Sequence, residues 1–435
     1  MSTHVEPSRS DFSDTPTPEP MSLNYQRART VAVWALWPIA VMTAIHKVWF
    51  AFSNHATDDF TTVWNAILRF RTGVPVYSED YTTVDPHYLY FPGGTLLLSP
   101  LSLMPSFSIG RALYIGANAA STVLALGILS YLVAHAKNHR SPWRDAITGI
   151  VWPASIIVLF NTEAVRNTLL FSNINGVLLL LEVLFLWFLI SRKGWAAGIA
   201  LGLAITIKPQ FLPLLFLPLV KRQWGALATG IGIPIVFNLA AWPLMTQPQD
   251  FFSKLLPYLD EVRDFANSSI IGLGTYFGVP EPVIWLWRIF AALLVLAGVF
   301  VLLKWRDSDN FMWASTTSSL LLLGVFLVSS LGQMYYSMLF APLFFTVLLH
   351  RSVMHNPIAW LGAYFCLSID IWMSDKWIWP GRIFEYTRGT IGWMLLLISI
   401  SITAIMWLVQ SRRNIPSPAE VSQIEGEKTS ASLAS

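Results

Sequence analysis

The stretch 54-NHATDDFTTVWNAILRFRTGVPVYSEDYTTVDPHYLYFPGG-94 decides how this chain is read, because it interrupts an apolar sequence just after the first apolar run. Two adjacent carboxylates, Asp58 and Asp59, stand near its start. A third, Asp85, precedes an aromatic run that ends in Pro92-Gly93-Gly94. Between them Phe60, Val63, Trp64, Ile67 and Leu68 recur at helical spacing, which predicts an amphipathic helix at a membrane interface with the aspartates at its head. One carboxylate there complements the helix dipole. The dipole does not require two.

Working outward, the rest of the chain is made for lipid. Of its 435 residues 54% are hydrophobic and only 12% charged, with a mean hydropathy of +0.54. Soluble domains carry about 25% charge. The net charge of +3 comes from loops and implies no nucleic-acid partner. The single cysteine, Cys366, lies in an apolar run and excludes an intramolecular disulfide. No GxxxxGK[ST], GxGxxG after a strand, CxxC or HExxH occurs, so nucleotide-driven, redox and zinc-protease chemistry have no support. Residues 1–24 and 414–435 are polar and cannot bury enough apolar surface to fold, so both read as tails. The first apolar run has no small-residue cleavage site after it and reads as a retained span.

Apolar runs long enough to cross a bilayer, about 20 residues each, lie near 30–51, 108–134, 145–162, 168–191, 225–245, 283–303, 312–331, 334–349, 357–373 and 391–410. The region 195–220, basic at both ends, suits a hairpin of two short helices meeting at Lys208-Pro209. The fold class expected is therefore an all-α polytopic membrane protein with about 10–12 transmembrane helices over residues 25–413. Short loops rich in Lys and Arg stay in the cytoplasm. The clusters Arg27/Arg29, Lys137/Arg140/Arg144, Arg192/Lys193, Lys221/Arg222, Lys304/Arg306, His350/Arg351 and Arg412/Arg413 all face inward only if 91-FPGGTLLLSPLSLMPS-106 dips into the bilayer without crossing. The outer face then holds the first loop (52–106 with this re-entrant segment), a short turn at 162–167, and the loops 246–282 and 374–390. Chemistry is expected there, on the outer side of the cell membrane.

Several polar residues stand out against this background. A carboxylate at a dry interface suits a general base for a hydroxyl. His55, Asp58, Asp59, Asp85 and His87 together also suggest a divalent cation, although their spacing matches no defined motif. Lys208, inside an apolar stretch, either snorkels to the interface or takes an anion such as phosphate from a cavity. Glu163 and Arg166, three apart, can pair with each other. Asn173 and Asn175 near the outer end of a span, Asn267 in a small polar run, and Gln333, Tyr335 and Tyr336 in a tight turn supply amides and rings of the kind that hold sugars.

These features together resemble the GT-C polyprenyl-phosphate glycosyltransferases, over nearly the whole chain between the tails. The resemblance is carried by TDDF (57–60), VDPHYLYFPGG (84–94), NTLLFSNING (167–176), LLLLEVLFL (178–186), IKP (207–209), FANSSI (265–270) and YYSM (335–338). Within that fold the chain is similar to the actinobacterial mannosyl- and arabinofuranosyltransferase family, on the side of the α-(1→3)-arabinofuranosyltransferases. Phe91 departs from the proline expected there, and Tyr335 and Tyr336 replace the His pair of the mannosyltransferases. The resemblance implies decaprenyl-phosphoryl-β-D-arabinofuranose as donor and cell-wall arabinan as acceptor, joined through an α-(1→3) linkage with inversion. It implies an aspartate base at Asp59, with Asp58 as rival. Lys208, Arg166, Arg382 and Arg388 then serve the donor phosphate, and His87, Asp85, Tyr88, Asn173, Asn175, Asn267, Gln333, Tyr335 and Tyr336 the sugar or acceptor. No cofactor or bound metal is implied. Two other readings stay open, a polyprenyl-phosphate-mannose-dependent α-(1→2)-mannosyltransferase and a carrier or flippase for a lipid-linked sugar. A carrier predicts interrupted spans in matching halves, whereas both candidate interruptions lie in the N-terminal half.

Overall fold

Hydropathy becomes helix almost everywhere. The computed structural model describes residues 23–54, 58–83, 86–136, 142–369 and 375–413; Asp85, His55 and the Asp58 side chain lie outside that set. The N-terminal half runs α1 (Leu23–Ser53), α2 (Asp58–Thr72), α3 (Pro92–Leu98), α4 (Phe107–Ala136), α5 (Pro142–Phe160), α6 (Glu163–Leu170), α7 (Asn175–Ile190) and α8 (Gly194–Ile207). There follow α9 (Phe216–Val220), α10 (Trp224–Ala241), α11 (Leu256–Asp260) and α12 (Ile270–Tyr276). The C-terminal part comprises α13 (Glu281–Leu302), α14 (Asn310–Val328), α15 (Ala341–Phe345), α16 (Pro357–Leu367) and α17 (Ile378–Arg413). No strand occurs among the described residues.

Among the described residues six helices are long and apolar enough to cross a membrane, and a seventh span results if α5 and α6, bent by 68° at their junction, are taken as one. The polytopic all-α class expected from the sequence holds, and the difference from about ten to twelve spans lies in apolar runs that form shorter helices. The remaining apolar runs form five shorter helical pieces of 10–17 residues. Prolines explain part of the shortening, since each removes a donor and crowds the preceding turn. Pro209 and Pro213 turn 209–215 into a 3-10 segment, and the run at 334–349 splits into 3-10 Met334–Phe340, α15 and 3-10 Thr346–Leu348. The run at 357–373 stops at Leu367.

Helices pack side by side in the order α1, α5, α4, α7, α8, α10, and α3 closes that row against α10. A second group forms from α13, α14, α16 and α17. Between the groups runs α14, nearly all of whose residues are buried, although its polar run Ser315-Thr316-Thr317-Ser318-Ser319 is fully enclosed.

Two corrections concern the expected outer loops. Residues 163–170 are helix α6 rather than a turn, with Thr162 capping it by accepting from the Val165 amide. Most of 374–390 is the first part of α17, so Arg382 and Arg388 ride on a helix.

Candidate active site

The opening stretch folds as its periodicity predicts and then turns back on itself. Helix α2 buries Phe60, Val63, Trp64 and Ile67 and leaves Asn65 exposed. Its Arg69 holds Glu79 at 2.7 Å, and the other Glu79 oxygen accepts from the Tyr88 amide at 2.9 Å. This pins the following loop along α2. The chain then enters α3 through Pro92 at the first helical positions, where a missing N–H costs nothing. Gly93 and Gly94 let α3 approach its neighbours closely. A Cβ on Gly93 would lie 3.0 Å from the Asn238 amide of α10, and one on Gly94 would lie 3.1 Å from the Thr206 carbonyl of α8. The Gly93 amide donates to Asn238 Oδ1 at 2.9 Å. The result is a seven-residue helix followed by a 3-10 turn, too short to span a bilayer.

Opposite α2, the segment Ser172–Gly176 brings two amides to the same place. Ser172 adopts the left-handed conformation (φ 55°), which ends α6 and turns the chain. Gly176 then sits so close to α4 that a Cβ would lie 2.3 Å from the Asn118 carbonyl. Asn118 Oδ1 in turn accepts from the Val177 amide at 3.2 Å. Helix α7 is thereby seated with Asn173 and Asn175 aimed at the end of α8.

There a connected set forms. Asn173 Nδ2 donates to Asp59 Oδ2 at 2.9 Å, and the Tyr335 hydroxyl donates to the same oxygen at 3.1 Å. Asp59 Oδ1 has no partner among the described residues. Lys208 Nζ donates to Asn175 Oδ1 at 2.9 Å and to Asn173 Oδ1 at 3.4 Å, and lies 4.4 Å from the centre of the Tyr336 ring. Asn173 thus joins a carboxylate to an ammonium through its two ends. Burial holds the Asp59 carboxyl above its usual range, while the Asn173 amide, Lys208, the Tyr335 hydroxyl and Arg263 pull it back. Lys208 sits in the extended break between α8 and the next 3-10 turn. Burial pushes it down to about 8, against the pull of Asp59.

Asp59, Asn173, Lys208, Tyr335, Tyr336, Gln333 and His87 all line one cavity of about 400 Å³. A volume of that order suits a sugar-sized ligand. His87 stands at its wall between Tyr81 and Tyr258, with ring centres 5.0 and 4.9 Å away, and its Nδ1 is 3.5 Å from Glu79. A carboxylate oxygen facing such a cavity can take a proton from a hydroxyl, and the nearby cations can stabilise an anion.

Other expected site residues lie elsewhere. Arg388 is fully buried in an ion pair with Glu163 at 2.6 Å and also donates to the Ser368 hydroxyl. Glu163 therefore pairs with Arg388. Arg166 packs over the Phe50 ring, and Arg382 over Tyr386, next to Tyr276. None of these three arginines lines the cavity, because sequence proximity to the outer face says nothing about which way a helix turns them. Tyr88 is buried behind the wall with its hydroxyl on Thr95 at 2.8 Å, whereas Tyr90 reaches the cavity. Asn267 is a brace. Its Oδ1 accepts from the amides of Ser269 and Gly332 and its Nδ2 donates to the Ser330 carbonyl, which ties the loop before α12 to the α14 end. Asn175 stands one shell back, holding Lys208. Among the described residues no three His, Cys, Asp or Glu side chains gather as a metal group. Three of the five residues expected for a divalent cation, His55, Asp58 and Asp85, lie outside the described side chains.

The cation that sequence reasoning missed is Arg263, which lines the cavity from the loop before Asn267. Its signal was present: it immediately precedes the Asp264–Gly272 polar run and is one of two basic residues in an acidic loop.

The model of glycosyltransferase family 87 matches residues 88–330. An alpha-(1->3)-arabinofuranosyltransferase of Corynebacterium glutamicum is 46% identical over 384 residues, covering 88% of this chain and 90% of its own length. One of Mycobacterium tuberculosis is 43% identical over 374 residues, covering 85% of this chain and 84% of its own. One of Mycolicibacterium smegmatis is 41% identical over 376 residues, with 85% of each chain covered.

Proposed function

The chain belongs to glycosyltransferase family 87 and is a membrane glycosyltransferase, and from that premise we propose that it moves an arabinofuranosyl group from a polyprenyl-phosphate donor to the 3-hydroxyl of an arabinan. The observation that carries the reading is the set Asp59–Asn173–Lys208 on one cavity wall. The similarity to α-(1→3)-arabinofuranosyltransferases at 41–46% identity supports the sugar and the linkage.

In the proposed reaction the acceptor O3 attacks C1 of the donor sugar from the face opposite the phosphate. The C1–O bond breaks with its electron pair leaving on the lipid phosphate, and the O3 proton passes to Asp59 Oδ1. One inversion needs one base and one leaving group, not the carboxylate pair of a glycosidase. The buried, raised Asp59 carboxyl is a stronger base than a solvated one, and Asn173 and Tyr335 hold its other oxygen so that Oδ1 faces the cavity. Lys208 and Arg263 offer positive charge for the departing phosphate. Asp58, at the head of the same helix, stays the alternative base. The donor is decaprenyl-phosphoryl-β-D-arabinofuranose, the acceptor is the α-(1→5)-arabinan of arabinogalactan or lipoarabinomannan, and the reaction takes place on the outer face of the plasma membrane. No divalent metal is required in this reading, since side-chain cations take the role of neutralising phosphate.

Purified protein in lipid nanodiscs, given synthetic decaprenyl-phosphoryl-arabinofuranose and a short α-(1→5)-arabinan, should yield 3-linked branches by linkage analysis, with or without EDTA. Product only from polyprenyl-phosphate mannose would move the protein to the mannosyl branch of the family. Transfer abolished by EDTA and restored by Mg²⁺ or Mn²⁺ would refute the metal-free reading.

A further inference from the structure

The two cavity cations differ in how much bonding capacity they have left. An ammonium carries three N–H donors. On Lys208 two of them are engaged, by Asn175 Oδ1 at 2.9 Å and Asn173 Oδ1 at 3.4 Å, and the Tyr336 ring face covers the ammonium 4.4 Å from its centre. A phosphate oxygen can bond Lys208 only through the one N–H left beside the Tyr336 ring or by displacing an amide, and the Asn173 amide also orients Asp59. Arg263 is in the opposite state. Its guanidinium packs 5.4 Å from the Phe265 ring and makes no hydrogen bond or ion pair among the described residues. It lines the same cavity, and its backbone is held in place, because its carbonyl accepts from Asn267 Nδ2 at 3.0 Å. Asn267 in turn is bonded to Ser330 and Gly332 at the end of α14. A planar fork of five donors on a braced loop, open to a cavity, matches two oxygens of one phosphate.

Resting on the transferase reading above, we infer that Arg263 makes the hydrogen bonds to the donor's phosphate, while Lys208 is a positioning residue that acts through Asn173 on Asp59 and on the phosphate by its field alone. The ligand class is a phosphate monoester or diester borne on a polyprenyl chain. Arg263 gates donor binding, and Lys208 sets the state of the base. The titratable and charged groups around Asp59 are Lys208, Arg263, Tyr90, Tyr114, Tyr335 and Tyr336. Of these, Lys208 is joined to the carboxylate through a single side chain.

The test compares Arg263→Gln and Lys208→Met in nanodiscs, in two measurements. The first is direct binding of decaprenyl phosphate, the sugar-free product. It does not depend on which sugar the enzyme transfers, so a wrong arabinose assignment leaves it standing. Arg263→Gln should weaken that binding about 10- to 100-fold, the loss of a charge-assisted bond, and Arg263→Lys should recover part of it. Lys208→Met should change it by less than about threefold. The second is the pH profile of turnover. Lys208→Met should move its acid limb to higher pH, because a positive charge that favours ionised Asp59 is gone. Arg263→Gln should move that limb in the same direction but by less, because its pull on Asp59 is weaker than that of Lys208. Unfolding is controlled by size-exclusion profile and melting temperature, and Lys208→Arg, which keeps the charge, should hold the acid limb. Binding weakened by Lys208→Met as much as by Arg263→Gln, or an acid limb that moves with Arg263 and not with Lys208, would overturn the division of roles.

Discussion

Replacing Asp59 by Asn separates the chemistry of this residue from its place in the structure. The wild-type carboxylate uses Oδ2 to accept from Asn173 at 2.9 Å and from Tyr335 at 3.1 Å. An asparagine can keep both bonds with its amide oxygen and turn its NH₂ to the cavity, so the frame survives and only the base is lost. Removing a general base costs about 10²- to 10⁴-fold in turnover, or about 2.7–5.4 kcal/mol at about 1.36 kcal/mol per tenfold. Stability should move the other way. Because burial raises the Asp59 carboxyl above 3.8 in the folded protein, the folded state binds this proton more tightly than the unfolded state. Unfolding free energy then falls as pH rises from the ordinary carboxylate range through the folded-state value, and the destabilisation stays in place above it. Asparagine has no such proton. The melting temperature of Asp59→Asn should therefore equal or exceed that of wild type at neutral pH, and the gap should close in acid. The assays are turnover with the lipid donor and melting curves between pH 4 and 8 in the same nanodiscs. A turnover within tenfold of wild type would refute the assignment. So would a full loss in Asp58→Asn while Asp59→Asn stays active, which would hand the role to Asp58.

Other expectations follow from the same geometry. With Lys208 pushed down to about 8, wild-type kcat/KM for the donor should fall as pH rises past that value, and Lys208→Arg should remove this alkaline limb; a limb that persists in the variant assigns it to another group. Gly176→Ala places a Cβ 2.3 Å from the Asn118 carbonyl, so α7 must withdraw from α4. This should cost about 1–3 kcal/mol of stability and lower turnover by displacing Asn173, whereas an unchanged turnover would show that α7 has slack. Arg388→Met leaves the buried Glu163 carboxylate without its arginine, with Asn167 still donating to it, and should cost about 3–5 kcal/mol, partly recovered by adding Glu163→Gln. Donor KM in folded Arg388→Met should match wild type; a raised KM would return Arg388 to the donor site.

Much of the site could be read from local sequence because each signal was local. A pair of aspartates after an apolar run, a lysine amid leucines and an Asn-x-Asn-Gly at a helix head are each out of place within a few residues of context. The structure brings Asp59, Lys208, Asn173, Tyr335 and Tyr336 to one cavity from four separate elements. The errors also share a cause. Arg388, Arg166 and Arg382 sit on helices that turn them to other partners, and hydropathy and charge patterning do not register which way a helix face points. Tyr88 and Tyr90 differ by two positions in an irregular segment, so neither helical nor strand period could say which faces the cavity. Span lengths were overestimated where proline divided an apolar run, because a composition window averages over the break.

The sequence by itself determined the solvent, the helical class and the residues too polar to be there by chance, since transfer free energy and periodicity are properties of short segments. Only the tertiary structure decided which cation shares the cavity with Asp59. That choice depends on how a loop braced by Asn267 meets the end of α14 and an ion pair joins Glu163 to Arg388. Those contacts span 65 and 225 residues of chain, and no local pattern encodes them.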